Sequence, residues 1–270
     1  GFYNLETLKE DAKRHNVQTL NPDVNRSGAQ LTIHDESLLL GLLSVESIGG
    51  AVANQIVTER NANGNFLSIS DLMTRTGILQ KTLNNLADAG ALDDISSVQQ
   101  ASRRDTRWEI GLRYRPLGTQ IPMEMPTEQD AATLLAPTDW EVMEAEYRTM
   151  GLHPGSHMMA YIRANLPNIT SSVDVWKKPD GTTVQVAGLV IRRQRPHAKA
   201  YFLTLEDEFG HTPALVLPAT YKRYRDLIRK PALIIHGRVS HRDGTMNIIA
   251  SRFETLPDID IASLRSRDWS

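Results

Sequence analysis

Five segments in the last third of the chain have the apolar character and the period of β-strands: VQVAGLVIRR (184–193), YFLTLEDE (201–208), TPALVLP (212–218), ALIIHGRVS (232–240) and MNIIASRFE (246–254). Turns separate them at Arg195-Pro196, Phe209-Gly210 and Asp243-Gly244. A helical stretch, residues 219–230, lies between the third and fourth segments. Three strands, a helix and two strands in this order predict a five-stranded Greek-key barrel of the OB type.

The predicted barrel is basic although the chain as a whole is not. Residues 182–256 contain 12 Lys or Arg and 6 Asp or Glu, whereas the rest of the chain contains 18 and 26, and the formal net charge of all 270 residues is −2. A basic face on an OB barrel is the electrostatic footprint of a nucleic-acid groove.

Strand period places specific side chains on the outside of the second segment. Leu203 and Leu205 are predicted to point inward, and Phe202, Thr204 and Glu206 outward. An outward Phe can stack on a base, which is worth about 1–3 kcal/mol. The cations expected to track phosphates are Arg192, Arg193, Arg195, His197 and Lys199, with Arg238 and Arg242 adding to the groove. The alternative is that Phe202 belongs to the core and the arginines form a solvated rim.

Helical patterns occupy the first half of the chain. Residues 4–16 have helix composition, with Leu5, Leu8 and Ala12 at helical spacing. Residues 37–43, 51–60, 70–75 and 80–89 then read as two helix–tight turn–helix units, the last helix ending at Gly90. Residues 97–115 look helical, 116–137 read as a linker, and 138–165 resume helix character around a break at His153-Pro154-Gly155. A tandem helix-hairpin-helix module followed by the OB barrel makes a multidomain α+β chain.

The turn of the first helical unit is a candidate phosphate site formed by the backbone. Its residues are Ser47, Ile48, Gly49, Gly50 and Ala51. The first N–H groups of a helix have no internal partner, so together with the helix dipole they can hold one DNA phosphate. Ser47 and the neighbouring Glu46 weaken this interpretation, and a hairpin that only packs two helices is the alternative. The second turn, at Gly77, lacks a second glycine and favours a structural role.

The sequence offers no complete active site. The absence of cysteine excludes disulfides, thiolate metal sites and a Cys nucleophile. Glu206-Asp207-Glu208 reads as a solvated β-turn rather than a Mg²⁺ site, and His153 and His157 lack a third metal ligand. We therefore predict no catalytic and no metal-binding residue. No apolar run is long enough to cross a membrane, and the opening at Gly1 indicates a piece of a longer protein.

Several motifs resemble bacterial C-family DNA polymerase III alpha subunits of the error-prone type. GFYNLETLKEDAKRHNV with PDVNRS resembles the end of their fingers region, and LGLLSVESIGGAVANQIVTER with SISDLMTRTGILQKTLNNLADAGALDDI resembles their tandem helix-hairpin-helix module. RRDTRWEIGLR and EAEYRTMGLHPGSHMMAYIR are similar to the connector, VAGLVIRRQRP with FLTLEDEFG to the OB domain, and SLRSRDWS to the terminus.

This resemblance implies a part of a DNA-directed DNA polymerase, a nucleotidyltransferase that uses Mg²⁺ held by palm-domain aspartates outside this chain. The implied domains are the end of the fingers (1–36), the helix-hairpin-helix module (37–115), linker and connector helices (116–181), the OB domain (182–256) and a tail (257–270). The implied DNA contacts are duplex phosphates at the hairpin, residues 47–51, and single-stranded template at residues 192–202.

The same resemblance implies partners and a cellular role. The implied partners are single-stranded and primer–template DNA and a sliding clamp that is reached through accessory translesion proteins. No membrane partner is expected, and the implied location is the bacterial cytoplasm. We see no glutamine-led clamp-binding peptide, which favours translesion synthesis and DNA repair over bulk replication. Two alternatives stay open: a stand-alone OB module that binds single strands or tRNA, and a docking platform for polymerase partners without catalysis.

Overall fold

The computed structural model describes residues 5–96, 102–114, 134–197, 200–242 and 244–256. The chain divides into two compact units, residues 1–155 and residues 156–270. No helix within these described ranges is long and apolar enough to span a membrane. The five domains predicted from the sequence stay a prediction.

The first unit is mostly helical. Its α-helices are α1 (Leu5–Arg14), α2 (Gly50–Asn63), α3 (Ile69–Thr76), α4 (Gln80–Asp88), α5 (Arg103–Arg113) and α6 (Asp139–Met150). Short 3-10 helices lie at Leu42–Ser44 and Asp93–Ile95. A small sheet has the order β1 (Thr19–Leu20), β3 (Ser37–Leu39), β2 (Thr32–His34), with β3 parallel to β1 and antiparallel to β2.

The predicted helix over residues 37–43 is wrong. The backbone of Asp35 and Glu36 has positive φ, which makes a tight turn from β2 into β3. The N–H groups of Leu38 and Leu40 then donate to the carbonyls of Gln18 and Leu20, at 2.8 and 3.1 Å. The leucine run is therefore the central strand of the small sheet, and only its end forms a turn of 3-10 helix.

The two hairpin units share one hydrophobic core. Ile56, Leu72, Leu83 and Leu86 are buried in it. The Ser68 hydroxyl caps α3, accepting a hydrogen bond from the Asp71 N–H at 3.1 Å.

Helix α1 packs through its polar face. Leu5 and Leu8, which share a helical stripe, are exposed, whereas Glu6, Lys9 and Glu10 are buried. Lys9 Nζ lies 2.9 Å from Glu6 Oε1 and 2.6 Å from Glu10 Oε1. Burial raises the pKa of Glu6, which also accepts a hydrogen bond from the Tyr147 hydroxyl at 2.7 Å. Ion pairing within this face offsets part of the cost of burying its charges.

The second unit contains the closed barrel. Its strands are β4 (Thr183–His197), β5 (Ala200–Glu206), β6 (His211–Val216), β7 (Ala232–Arg242) and β8 (Thr245–Glu254). They close in the order β4-β5-β6-β8-β7, with β6 parallel to β8. Helix α9 (Pro218–Ile228) connects β6 to β7, and α7 (Met158–Arg163) and α8 (Ser172–Val175) precede the barrel. The predicted OB barrel is confirmed.

The acidic run at the end of β5 is buried, which corrects the prediction of a solvated turn. The Asp207 carboxylate accepts hydrogen bonds from the Ser172 backbone N–H at 2.7 Å, from its hydroxyl at 2.5 Å and from Arg163 Nη2 at 2.9 Å. It also accepts the N–H groups of Phe209 and Gly210, both at 3.0 Å, which fixes the predicted turn. Asp207 thus joins α7 and α8 to the barrel.

Glu206 was predicted to face outward and is instead fully buried. Its Oε1 lies 2.9 Å from Nε2 of His211, the residue that pairs with it across β5 and β6. A polar partner on the neighbouring strand therefore lets a carboxylate lie inside the fold.

Glu146 provides a test of the buried charges in the first unit. Burial by itself would raise its pKa, but His153 and Arg103 outweigh burial and hold the pKa below the usual 4.5. Arg103 Nη1 lies 2.5 Å from Glu146 Oε1. Replacing Glu146 with Gln removes the carboxylate that Arg103 and His153 contact, and we expect a loss of about 3 kcal/mol in unfolding free energy near neutral pH.

The loss should depend on pH with a defined sign. Because the pKa of Glu146 is lower in the folded chain, its stabilisation is present above pH 4.5 and disappears as the pH falls through the folded-state value. Urea unfolding of both proteins at neutral and at acidic pH measures this, and the difference should shrink on acidification. An equal loss at both pH values would contradict the ion-pair account.

Candidate nucleic-acid interface

The outer face of β4, β5 and β6 carries the predicted aromatic residue. Leu203 and Leu205 are buried as predicted, and Phe202, which precedes them on β5, is 37% exposed. Across β4 and β5, Gln194 pairs with Phe202 and Arg192 pairs with Thr204. Cross-strand partners lie side by side on one face, so the structure brings Arg192, Thr204 and Phe202 together.

Gln194 orients the arginine of this face. With its amide oxygen turned toward Arg192, it accepts hydrogen bonds from Nη2 at 2.7 Å and from Nε at 3.1 Å. The guanidinium is thereby fixed in the same row as Phe202. We call Arg192, Gln194, Phe202 and Thr204 the barrel row.

Arg193 does not belong to the barrel row. Its Nε donates to the Ile228 carbonyl at 3.1 Å, and its Nη2 donates to the carbonyls of Arg229 and Lys230 at 3.2 and 2.7 Å. These carbonyls end helix α9, where the helix itself offers no donors. The guanidinium therefore caps α9.

Arg195 lies beside aromatic residues of the barrel and of α9. Its guanidinium carbon is 4.7 Å from the centre of the Tyr201 ring, and Tyr201 stacks on Tyr221 with ring centres 3.4 Å apart. Burial raises the pKa of the Tyr201 hydroxyl. Lys199 and the side chain of His197, both expected to track phosphates, lie outside the described residues.

Arg238 and Arg242 are exposed but lie elsewhere on the barrel. Both are on β7, which pairs with residues 183–189 of β4. The barrel row instead uses residues 189–197 of the same strand, which pair with β5. The strand pairing therefore places these two arginines outside the row of Phe202, and their addition to the groove stays a prediction.

The first hairpin leaves the beginning of α2 open. Gly49 precedes the helix, and no side chain caps it. Gly49, Gly50 and Ala51 are exposed, and a Cβ atom on either glycine would have no atom within 4 Å. The first N–H groups of the helix therefore have no side-chain cap, and the space beside both glycines is open. Ile48, the remaining apolar residue of the turn, is buried.

Ser47 adopts a positive φ of 68°, a conformation that favours glycine. Asn85 of α4 supports it, since its Nδ2 donates to the Ser47 hydroxyl oxygen at 2.9 Å and to the Glu46 carbonyl at 3.0 Å. Sequence reasoning missed Asn85 because no local pattern links it to a turn 38 residues away. Gln194 was also missed, although the period of two along β4 could have revealed it.

Among the residues with described positions, no three His, Asp or Glu side chains converge on a point that could hold a metal ion. The barrel row and the first hairpin offer an aromatic ring, a guanidinium group and backbone N–H donors.

Two families match the chain. The helix-hairpin-helix motif matches residues 16–105, and the OB-fold nucleic acid binding domain matches residues 184–256. Error-prone DNA polymerase from Mycolicibacterium paratuberculosis is 33% identical over 100% of this chain and 25% of its own length. The chain is homologous to part of the error-prone DNA polymerases.

Other relatives agree with this assignment. Error-prone DNA polymerase from Corynebacterium efficiens is 34% identical over 100% of the chain and 25% of its own length, and that from Rhodopirellula baltica is 32% identical over 96% and 23%. The chain spans about a quarter of the length of these curated relatives. Among solved structures, asparaginyl-tRNA synthetase from Pyrococcus horikoshii aligns with 36% of this chain and 24% of its own at 24% identity and a TM-score of 0.29.

Substitutions at the two neighbouring arginines of β4 should differ in their effect on the unfolding free energy. Arg193→Ala removes three contacts to helix-end carbonyls, so we expect its unfolding free energy to fall by about 1.5–3 kcal/mol. Arg192→Ala removes an exposed side chain and should change it by no more than about 0.5 kcal/mol. Chemical denaturation of both variants checks this, and equal losses would show that Arg193 is not a structural cap.

Proposed function

We propose that this chain is the part of an error-prone DNA polymerase that holds template and primer DNA during damage-tolerant synthesis. The homology along the whole chain supports the assignment to such a polymerase. The observation that carries the DNA-holding role is the barrel row, in which an exposed aromatic ring lies beside an oriented guanidinium. The proposal places nucleotidyl transfer, and the Mg²⁺ it needs, in a palm domain outside this chain.

Single-stranded template is the ligand that suits the barrel row. Phe202 offers a ring on which any base can stack, because every base has a π-face. Arg192 offers a charge for the adjacent phosphate, with its orientation set by Gln194. Neither contact reads the identity of a base, as a polymerase that copies any template, including a damaged one, requires.

Duplex DNA is the ligand that suits the first hairpin. Its open helix N-terminus and its two unobstructed glycines can take one backbone phosphate without reading sequence. In this proposal the helical unit holds the primer–template duplex and the barrel holds the single strand ahead of it. Access to the sliding clamp through accessory translesion proteins and a cytoplasmic location complete the proposal.

Fluorescence anisotropy with labelled single-stranded, duplex and primer–template DNA, and with tRNA, tests the barrel row. We expect Phe202→Ala to weaken single-strand binding by about 1–3 kcal/mol, which is roughly 5- to 150-fold. Phe209→Ala is the matched control, since Phe209 is also exposed, at 51%, but lies in the β5–β6 turn. Equal affinities for both variants would refute the row, and a preference for tRNA would favour a stand-alone binding module.

Gly50→Ala tests the hairpin. A Cβ atom at Gly50 meets no atom of the chain, so stability should stay the same or rise by up to about 1 kcal/mol. The same methyl group would stand between the helix N–H groups and a phosphate, and duplex affinity should fall severalfold. Gly111→Ala, in the exposed part of α5, also meets no atom and is the control. Unchanged duplex affinity in Gly50→Ala would contradict the phosphate site and would mean that the hairpin only packs two helices together.

A further inference from the structure

A polar cavity of about 440 Å³ lies on the first unit. Three helices form it: α4, α5 and α6. Its lining includes Lys81, Asn84, Asn85, Asp88, Arg107 and Arg148. All six side chains are charged or amide groups, so the cavity suits a hydrophilic ligand.

One carboxylate in this cavity faces two guanidinium groups. Asp88 is buried, with 8% of its side chain exposed. Arg107 Nη1 donates to its two carboxylate oxygens at 3.2 and 3.1 Å, and Arg148 Nη2 donates to Oδ2 at 3.0 Å. Asp88 balances only one of the two positive charges.

The cations keep capacity for a ligand. The side chains of Arg107 and Arg148 are 47% and 49% exposed, and a guanidinium has five N–H donors. Lys81 lines the same cavity, is exposed and forms no ion pair with any residue whose position is described. Three cations against one carboxylate leave two uncompensated positive charges around a concave polar surface, which attracts an anion.

We propose that this cavity binds a phosphate-class oxyanion through Arg107, Arg148 and Lys81. Bidentate contact with phosphate oxygens is the geometry that guanidinium groups favour. Asp88 acts as the positioning residue, because it holds both guanidiniums at one wall. The Asn84 amide, on the same helix as Asp88, supplies a neutral donor.

The cavity also adjoins the first hairpin. Asn85 lines the cavity and at the same time donates to Ser47 and to the Glu46 carbonyl. A nucleic-acid backbone that passes the hairpin can therefore reach the cavity with another phosphate, and free phosphate or pyrophosphate has the same chemistry. The backbone source rests on the proposed function, whereas the anion site itself does not.

The test compares single substitutions in the 270-residue chain. Arg107→Gln, Arg148→Gln and Lys81→Gln remove cavity cations one at a time. Arg104→Gln is the matched control, since Arg104 also lies on α5, is 42% exposed and pairs with Glu141 outside the cavity. The readouts are NMR titration with inorganic phosphate and with pyrophosphate, and duplex DNA affinity across a series of salt concentrations.

We expect phosphate or pyrophosphate to shift the amide signals of the cavity residues saturably, or duplex DNA to bind through the cavity. In the three cavity variants the affinity for that ligand should fall severalfold, and in Arg104→Gln it should stay unchanged. If duplex DNA is the source, the salt slope of the affinity should fall by about one per cation removed. Lys81→Gln breaks no ion pair with the described part of the chain and therefore tests the site without loss of stability. Cavity variants that match Arg104→Gln in every titration would overturn the site, whatever the result for Phe202→Ala.

Discussion

One strand, β4, hydrogen-bonds along its two halves to two different neighbours, and the second unit depends on this arrangement. Residues 183–189 pair with β7, and residues 189–197 pair with β5. Gly188 lies where the two halves meet, and a Cβ atom there would come within 2.7 Å of the Glu206 carbonyl oxygen. A side chain at this position would push β5 away from β4, so the close contact that closes the barrel requires glycine.

The same arrangement sorts the basic residues of the barrel into different roles. Neighbouring residues after the bulge near Val190 lie on opposite faces of the strand. Arg192 therefore joins Phe202 on the outside, whereas Arg193 caps a helix. On β7, Arg238 pairs with Thr183 at the other end of β4, whereas Arg242 pairs with Thr245 of β8. A basic total charge is thus a poor guide to a binding surface, because neighbouring arginines on one strand serve different purposes.

The sequence predicts the barrel well because period and turn chemistry are local properties. The inward leucines, the outward Phe202 and the turn at Phe209-Gly210 all follow from residues within a few positions of each other. The burial of Glu206 and Asp207 could not be predicted, since it depends on His211, Ser172 and Arg163 on other elements. The helix predicted over residues 37–43 was wrong for the same reason, because the hydrogen-bond partners of this segment are the carbonyls of Gln18 and Leu20.

The central claim is that single-stranded DNA lies on the outer face of β4, β5 and β6. Amide NMR of the isotope-labelled chain, titrated with a short oligothymidine, tests it most directly. The account predicts that the largest shift changes fall on Arg192, Gln194, Phe202 and Thr204 and saturate together. Changes confined to β7 and the β7–β8 hairpin around Arg238 and Arg242, or no changes at low salt, would contradict it.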